Sequence, residues 1–159
     1  MTRPSAFAHA FTIRRNYDAT PEDVFNAFAD PAMKAKWFSG PPDQWHVLER
    51  RMDFREGGEE RVRGKFKDAY VSDFRARYHV IRKPALIVYV YDMYVDDRLL
   101  STSLSSFDFA KGARGTDMTY VEQGVYYEGD EGGDGPTSRE EGTQGLFDRV
   151  AEALAGRLG

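Results

Sequence analysis

An acid with a tyrosine two positions before it is the first candidate for chemistry in this sequence. Met118, Tyr120 and Glu122 alternate along the segment TDMTYVEQG, so in a strand their side chains lie on one face. If that face points inward, Glu122 is a buried carboxylate that could act as a general base or bind an amine or hydroxyl group. If it points outward, Glu122 is an ordinary acid near the sheet edge, where the strand ends at Gly124. Both interpretations stay open.

A row of hydroxyls in LLSTSLSSFDF is the second unusual pattern. Ser101, Ser103 and Ser105 share one face of the predicted strand with Phe107 and Phe109. One interpretation turns this face inward, along a partly polar cavity. The other turns the leucine-containing face inward and leaves the serines in solvent. No G-x-S-x-G sequence surrounds a serine, which argues against a serine hydrolase.

Aromatic side chains recur at positions that could line a pocket. Phe74 and Tyr78 lie on one predicted strand, Tyr89 and Tyr91 lie on the next, and Trp37 precedes the loop SGPPD. Tyrosine joins an apolar ring to a polar end, which suits a pocket for ring-shaped or acyl ligands. The same residues also suit ordinary core packing.

Patterns that could bind phosphate or metal have structural explanations. REGGEE leads into a strand and is followed by acids, so its glycines favour a turn over a phosphate loop. DEGGDGPTSREE lacks a ligand at the third position of a calcium loop, and a strand rather than a helix precedes it. His9, His46 and His79 show no metal-ligand spacing. We therefore predict no metal and no cofactor.

Composition limits the class of partner. The chain has 159 residues and a net charge of −4, with acids and bases mixed, which argues against nucleic acid. It has no cysteine and therefore no disulfide or thiol chemistry. No apolar run approaches the roughly 20 residues that cross a bilayer, and the N-terminus lacks a signal-peptide core. We expect a soluble cytoplasmic protein.

The elements that must position these residues are one strand, two short helices, six strands and one long helix. Thr20 and Pro21 begin the first short helix, the second ends near Trp37, and the long helix spans 137–158. The long helix is the one large element able to cover the apolar face of the sheet, which predicts an α+β fold with an antiparallel sheet curled around it. Alternating, β-branched and aromatic residues predict strands at 8–18, 44–54, 58–67, 70–81, 85–94, 99–109 and 115–127.

These motifs together resemble a known family. They are ATPEDVFNAFADP, KWF, GPP, DFREGGEE, KPALIVYVY, GTDMTYVEQG and EEGTQGLFDRVAEAL. In this order they resemble the START-like (SRPBCC) superfamily, and more narrowly the family named after the C-terminal domain of the activator of the heat-shock-protein-90 ATPase. The resemblance runs from about Phe11 to Leu158. It implies a helix-grip (START/Bet v 1-like) fold, in which a curved sheet of six to seven strands holds the C-terminal helix over a cavity.

Two features depart from the family pattern near the expected mouth of that cavity. Gly142 is followed by Thr143, where the family usually carries a tryptophan. The acidic loop 128–135, which we expect to be mobile, matches no family motif. Gly142 and Gly145 cost helix stability, so either a close approach to the sheet or free space should explain them. We expect one START-like domain over 1–159, with an ordered core of about 8–158.

The resemblance implies a cavity that binds a hydrophobic or amphipathic small molecule, without required catalysis. One alternative is a polyketide cyclase- or aromatase-like enzyme in which Glu122 and a tyrosine form the acid–base pair. Another is a chaperone-associated interaction domain, although this sequence shows no separate N-terminal domain like that of the chaperone activator. A long sheet edge would allow a homodimer. Candidate cavity residues are Trp37, Phe74, Tyr78, Tyr89, Phe107, Met118, Tyr120, Glu122, Gly142 and Leu146.

Overall fold

The computed structural model describes residues 6–127 and 136–158, which form seven strands and three helices. The sheet is antiparallel, with strand order β1-β7-β6-β5-β4-β3-β2, so β1 and β2 form its edges. The predicted α+β helix-grip fold is confirmed, with a curved seven-stranded sheet and a C-terminal helix. The strands are β1 (Ala6–Tyr17), β2 (Trp45–Met52), β3 (Glu59–Phe66), β4 (Val71–Arg82), β5 (Leu86–Val95), β6 (Arg98–Lys111) and β7 (Thr116–Tyr127). The helices are α1 (Pro21–Ala29), α2 (Pro31–Trp37) and α3 (Pro136–Leu154).

The two short helices begin where the sequence predicts. The side chain of Thr20 accepts a hydrogen bond from the backbone N–H of Asp23, and each helix has proline at its first position. Asp30 ends α1 and caps α2, because its carboxylate accepts a hydrogen bond from the N–H of Met33 at 2.9 Å. One residue therefore ends the first helix and caps the second.

The long helix ends earlier than predicted. It was predicted over 137–158 but ends at Leu154, because Gly156 adopts a left-handed conformation with φ of 73°. The N–H of Arg157 then donates to the carbonyl of Glu152 at 2.9 Å, which satisfies an end carbonyl of the helix. The apolar period continues past this glycine, so periodicity alone placed the end too late.

The paired glycines of REGGEE lie in the turn between β2 and β3. Gly57 has φ of 82°, a conformation that favours glycine. A Cβ atom on Gly58 would lie 2.1 Å from the carbonyl oxygen of Asp53, so this position also needs glycine. The turn interpretation is confirmed, and the chain continues into β3 rather than into a helix.

The core between the sheet and the helices is largely aromatic. The ring of Phe28 lies 4.9–6.2 Å, centroid to centroid, from the rings of Trp37, Phe107, Phe109 and Phe147. Most of these contacts are tilted or edge-to-face, the arrangements that the ring quadrupole favours. Because Phe107 and Phe109 are both buried, this face of β6 points into the core.

A buried ion pair joins α2 to the sheet. The Nζ atom of Lys34 lies 2.7 Å from Oε1 of Glu60, and both residues are at most 3% exposed. The hydroxyl of Tyr78 donates to the same carboxylate oxygen. Burial raises the pKa of Tyr78 far above its ordinary value, and the charge of Glu60 adds to the rise. Four rings surround the ammonium at 4.8–5.9 Å from their centroids, those of Trp37, Phe38, Phe74 and Tyr89.

Candidate functional site

A cavity of about 490 Å³ lies between α3 and the half of the sheet formed by β2 to β5. The loop after α2 closes one side of it. Its volume is within the range of sites that bind small organic molecules. The apolar wall consists of Phe38, Trp45, Val62, Phe66, Phe74 and Met93.

Trp45 forms one wall of the cavity because two glycines make room for it. A Cβ atom on Gly64 of β3 would lie 2.1 Å from the indole ring, and one on Gly40 would lie 2.6 Å from Cβ of Trp45. The ring can therefore lie flat across the neighbouring strand. Any larger residue at Gly64 would displace the ring and change the cavity.

The helix contributes a stripe of residues to the opposite wall. Arg139, Gly142, Leu146 and Arg149 all line the cavity and follow one another at intervals of three or four, which places them on one helix face. Cβ atoms built on Gly142 and on Gly145 would have nothing within 4 Å. Free space, rather than close approach to the sheet, therefore accompanies the two helix glycines.

We expect Gly142→Ala to raise the free energy of unfolding by about 0.5–1 kcal/mol, because alanine restricts the unfolded chain and meets no neighbour in the fold. Urea denaturation would measure the change. Gly156→Ala is the control, because that glycine also has free space but has φ of 73°, so alanine should destabilise there. If Gly142→Ala destabilises as Gly156→Ala does, the free-space explanation is wrong.

Glu122 lies in a buried polar cluster on β7. It is 2% exposed, and its Oε1 accepts hydrogen bonds from the hydroxyls of Tyr91 and Tyr120. Its Oε2 lies 3.6 Å from Nη1 of Arg139, whose Nη2 donates to Oγ of Ser101 at 2.9 Å. The inward interpretation of this face is therefore correct, and the interpretation of Glu122 as an edge acid is wrong.

The protonation of this cluster follows from its burial. Loss of water raises the pKa of Tyr91 and of Tyr120 well above its ordinary value, and the charge of Glu122 adds to both shifts. Arg139 partly opposes the rise at Tyr91. Burial by itself would lower the pKa of Arg139, but Tyr91, Tyr126 and Glu122 together raise it above its ordinary value. At neutral pH the phenols are therefore hydrogen-bond donors and the guanidinium is charged.

The serine row of β6 also faces inward. Ser101, Ser103 and Ser105 are at most 2% exposed, whereas Leu104 on the other face is 40% exposed. Ser105 shares a hydrogen bond of 2.9 Å with the hydroxyl of Tyr120. Oγ of Ser103 is buried and has no hydrogen-bond partner among the residues described. The inward interpretation is correct, but these hydroxyls lie in the core and outside the lining of the cavity.

The structure separates the predicted cavity residues into two groups. Phe74, Gly142 and Leu146 line the cavity. The others are buried in the core and do not line it, because their side chains pack on one another. Tyr89 and Phe107, for example, have ring centroids 5.5 Å apart. The buried group is Trp37, Tyr78, Tyr89, Phe107, Met118, Tyr120 and Glu122.

Sequence reasoning missed the two arginines that line the cavity and the buried acid Glu60, which lies outside its lining. Arg139 and Arg149 belong to the same helical stripe as Gly142 and Leu146, so the helical period of that stripe could have found them. Glu60 alternates with the buried Val62 along β3, which is the signal for an inward acid.

No metal site is evident in the described part of the chain, where no group of three or more metal-ligating His, Cys, Asp or Glu residues occurs. His9, His46 and His79 are exposed. The acidic loop 128–135, including the first half of the segment DEGGDGPTSREE, lies outside the described residues. Within the described residues, no helix is long and apolar enough to cross a membrane.

Comparison with known proteins agrees with this architecture. The sequence model of the family described as activator of Hsp90 ATPase homolog 1-like protein matches residues 18–155. The chain belongs to this family. Curated proteins give no match.

Several solved structures share the fold with the chain. An uncharacterized protein from Rhizobium leguminosarum is 30% identical with a TM-score of 0.88, over 95% of this chain and 97% of its own. A protein from Rhizobium loti is 33% identical with a TM-score of 0.84, over 94% and 99% of the two chains. A protein from Chromobacterium violaceum is 26% identical with a TM-score of 0.73, over 91% and 96%. The fold of these three proteins is therefore shared along more than nine-tenths of the chain.

Proposed function

We propose that the chain binds a hydrophobic or amphipathic small molecule in the cavity between α3 and the sheet. The observation that carries this proposal is the free space next to Gly142 and Gly145 in a cavity of about 490 Å³. Glycine inside a helix costs about 1 kcal/mol relative to alanine, so two exposed glycines at the wall of this cavity lower the stability of α3. Room for a ligand would explain why glycine, rather than alanine, occupies these two positions.

The chemistry of the walls fits an amphipathic occupant. The sheet side is mainly aromatic and aliphatic, while Ser72, Ser138 and Thr143 add hydroxyls to the lining. A mostly apolar wall with a few polar groups is typical of small-molecule sites, in which the polar groups orient the ligand. A ligand with an apolar body and a small polar group could contact both the apolar side chains and the hydroxyls of the lining.

Binding without catalysis is favoured over an enzyme that uses Glu122. That carboxylate does not line the cavity; its Oε1 accepts hydrogen bonds from Tyr91 and Tyr120, and its Oε2 lies 3.6 Å from the guanidinium of Arg139. A general base needs a free oxygen within hydrogen-bond reach of its substrate. A chaperone-associated role has only the family description in its favour, whereas ligand binding has the cavity of this chain.

Filling the cavity from the helix tests the proposal. Native mass spectrometry of the purified protein, followed by thermal shift with apolar and amphipathic molecules, would find a ligand. We expect Gly145→Phe to weaken its binding at least about tenfold, which is roughly 1.4 kcal/mol, because the ring occupies the space beside the helix.

Gly145→Ala is the matched control, because its methyl group changes the helix backbone in the same way but leaves most of the volume free. It should bind the ligand as the unmodified protein does. Equal binding by Gly145→Phe would place the ligand elsewhere, and no ligand from either approach would contradict the proposed function.

A further inference from the structure

The described walls of the cavity carry positive charge in a chain with an excess of acids. The chain has 26 acidic and 22 basic residues, yet within the described residues the lining contains Arg139 and Arg149 and no carboxylate. A cleft with low-dielectric walls and charge of one sign attracts ligands of the opposite sign. The charge of the walls therefore selects against a cationic ligand.

The two arginines differ in how their charges are balanced. Nη1 of Arg139 lies 3.6 Å from the buried carboxylate of Glu122, which offsets its charge. For Arg149, no carboxylate within residues 6–127 and 136–158 approaches to 4 Å. An arginine without a carboxylate partner beside an apolar cavity is a site where an anion gains more than it loses in desolvation.

The side chain of Arg149 is held in place by neutral acceptors. Its Nε donates to the carbonyl of Trp37 at 3.2 Å, and its Nη2 donates to the carbonyl of Lys36 and to Oγ of Ser39, both at 3.1 Å. These groups are at the C-terminal end of α2, so they orient the guanidinium without neutralising it fully. In the described part of the chain, Nη1 has no hydrogen-bond partner.

The positions of Arg139 and Arg149 along α3 distinguish the two ends of the cavity. Arg139 and Arg149 are ten residues apart, which corresponds to about 15 Å along a helix. Gly142, Gly145 and Leu146 lie between them and provide the free, apolar part of the wall. The end with the unbalanced charge is therefore the end at Arg149.

We propose that the ligand is an amphipathic carboxylate whose head group binds Arg149 and whose apolar part lies along Gly145 and Gly142. The proposal rests on the proposed function. One unbalanced guanidinium matches the single charge of a carboxylate, and its planar N–H groups fit two carboxylate oxygens. A doubly charged head group would bring a second charge without a partner.

A series of probes that differ only in the head group tests this assignment. Dodecanoate, dodecanol and dodecylamine would be titrated by calorimetry at one salt concentration, each below its micellar concentration. We expect dodecanoate to bind at least about tenfold more tightly than dodecanol, because a hydrogen bond between two charged groups is stronger than one to a neutral hydroxyl. Dodecylamine should bind most weakly.

Variants then locate the head group. Arg149→Met should remove the preference for dodecanoate over dodecanol, and Arg149→Lys should keep part of it. Arg157→Met, which removes an exposed arginine beyond the end of α3, is the control and should change neither affinity.

The outcomes distinguish the carboxylate assignment from the proposed binding function on which it rests. If dodecanol binds as tightly as dodecanoate, and Gly145→Phe abolishes both, the cavity function stands and the carboxylate assignment is wrong. If Arg149→Met weakens both probes equally, the head group does not bind at Arg149. If no probe binds the unmodified protein, both proposals are contradicted for this class of molecule.

Discussion

Replacing Lys34 with methionine is expected to lower the free energy of unfolding by about 3–5 kcal/mol, the usual cost of removing one partner of a buried ion pair. Glu60 would remain 2% exposed and would lose the ammonium that lies 2.7 Å from its Oε1. The hydroxyl of Tyr78 would still donate to that oxygen, but one neutral donor does not balance a buried charge. Urea denaturation of both proteins at neutral pH would measure the difference.

Two further variants decide whether burial of the charge is the cause. Lys36→Met removes a lysine from the same helix that is less buried and has no ion pair among the described residues, so we expect a change within about 0.5 kcal/mol. The double variant Lys34→Met/Glu60→Gln should recover part of the loss, because the remaining amide is neutral. If the double variant is no more stable than Lys34→Met, the charge of Glu60 is not the source of the loss.

The same ion pair shapes the candidate binding site. The ammonium of Lys34 lies 4.8 Å from the ring centroid of Phe38 and 5.8 Å from that of Phe74, and both rings line the cavity. Cation–π attraction from this buried ammonium therefore helps to fix two rings of the cavity wall. The buried ion pair in the core therefore contributes to the shape of the cavity wall.

Most of the fold could be predicted because each element carries its own local signal. Strands alternate between apolar and polar residues, Thr20 and Pro21 mark a helix start, and turns such as REGGEE separate the strands. Element ends were less accurate, as at Leu154, where a single left-handed glycine stops a helix whose apolar period continues. Local patterns give the type of an element more reliably than its last residue.

The site was harder to predict because alternation gives the direction of a side chain and not what lies in front of it. Tyr89 and Phe74 both point inward, but Tyr89 packs on other rings while Phe74 faces the cavity. The helical period could place Arg149 on the cavity face of α3, but its hydrogen-bond partners near the end of α2 are more than a hundred residues away in the chain. Pairings of that range leave no mark on a single sequence.

Alkaline solution is expected to destabilise the fold strongly, beginning near pH 10. Within the described residues, five tyrosines have pKa values raised far above the ordinary value, in each case mainly because burial disfavours the phenolate: Tyr17, Tyr78, Tyr89, Tyr91 and Tyr120. In the unfolded chain the same phenols release protons near pH 10. Their contribution to stability is therefore complete below about pH 10 and is lost as the pH rises above it, by up to about 1.4 kcal/mol per pH unit for each tyrosine.

The alkaline transition should be cooperative, because the phenols ionise when the fold opens. As the pH is raised, the tyrosinate absorbance should increase over the same pH range in which the sheet signal in circular dichroism decreases. The urea concentration at the midpoint of unfolding should fall steeply above pH 10. Tyr89→Phe removes one of the five phenols with a raised pKa, so above pH 10 the free energy of unfolding should fall less steeply, by up to about 1.4 kcal/mol per pH unit. If these tyrosines ionise while the circular dichroism stays native, their phenolates are tolerated in the fold, and burial does not control their titration.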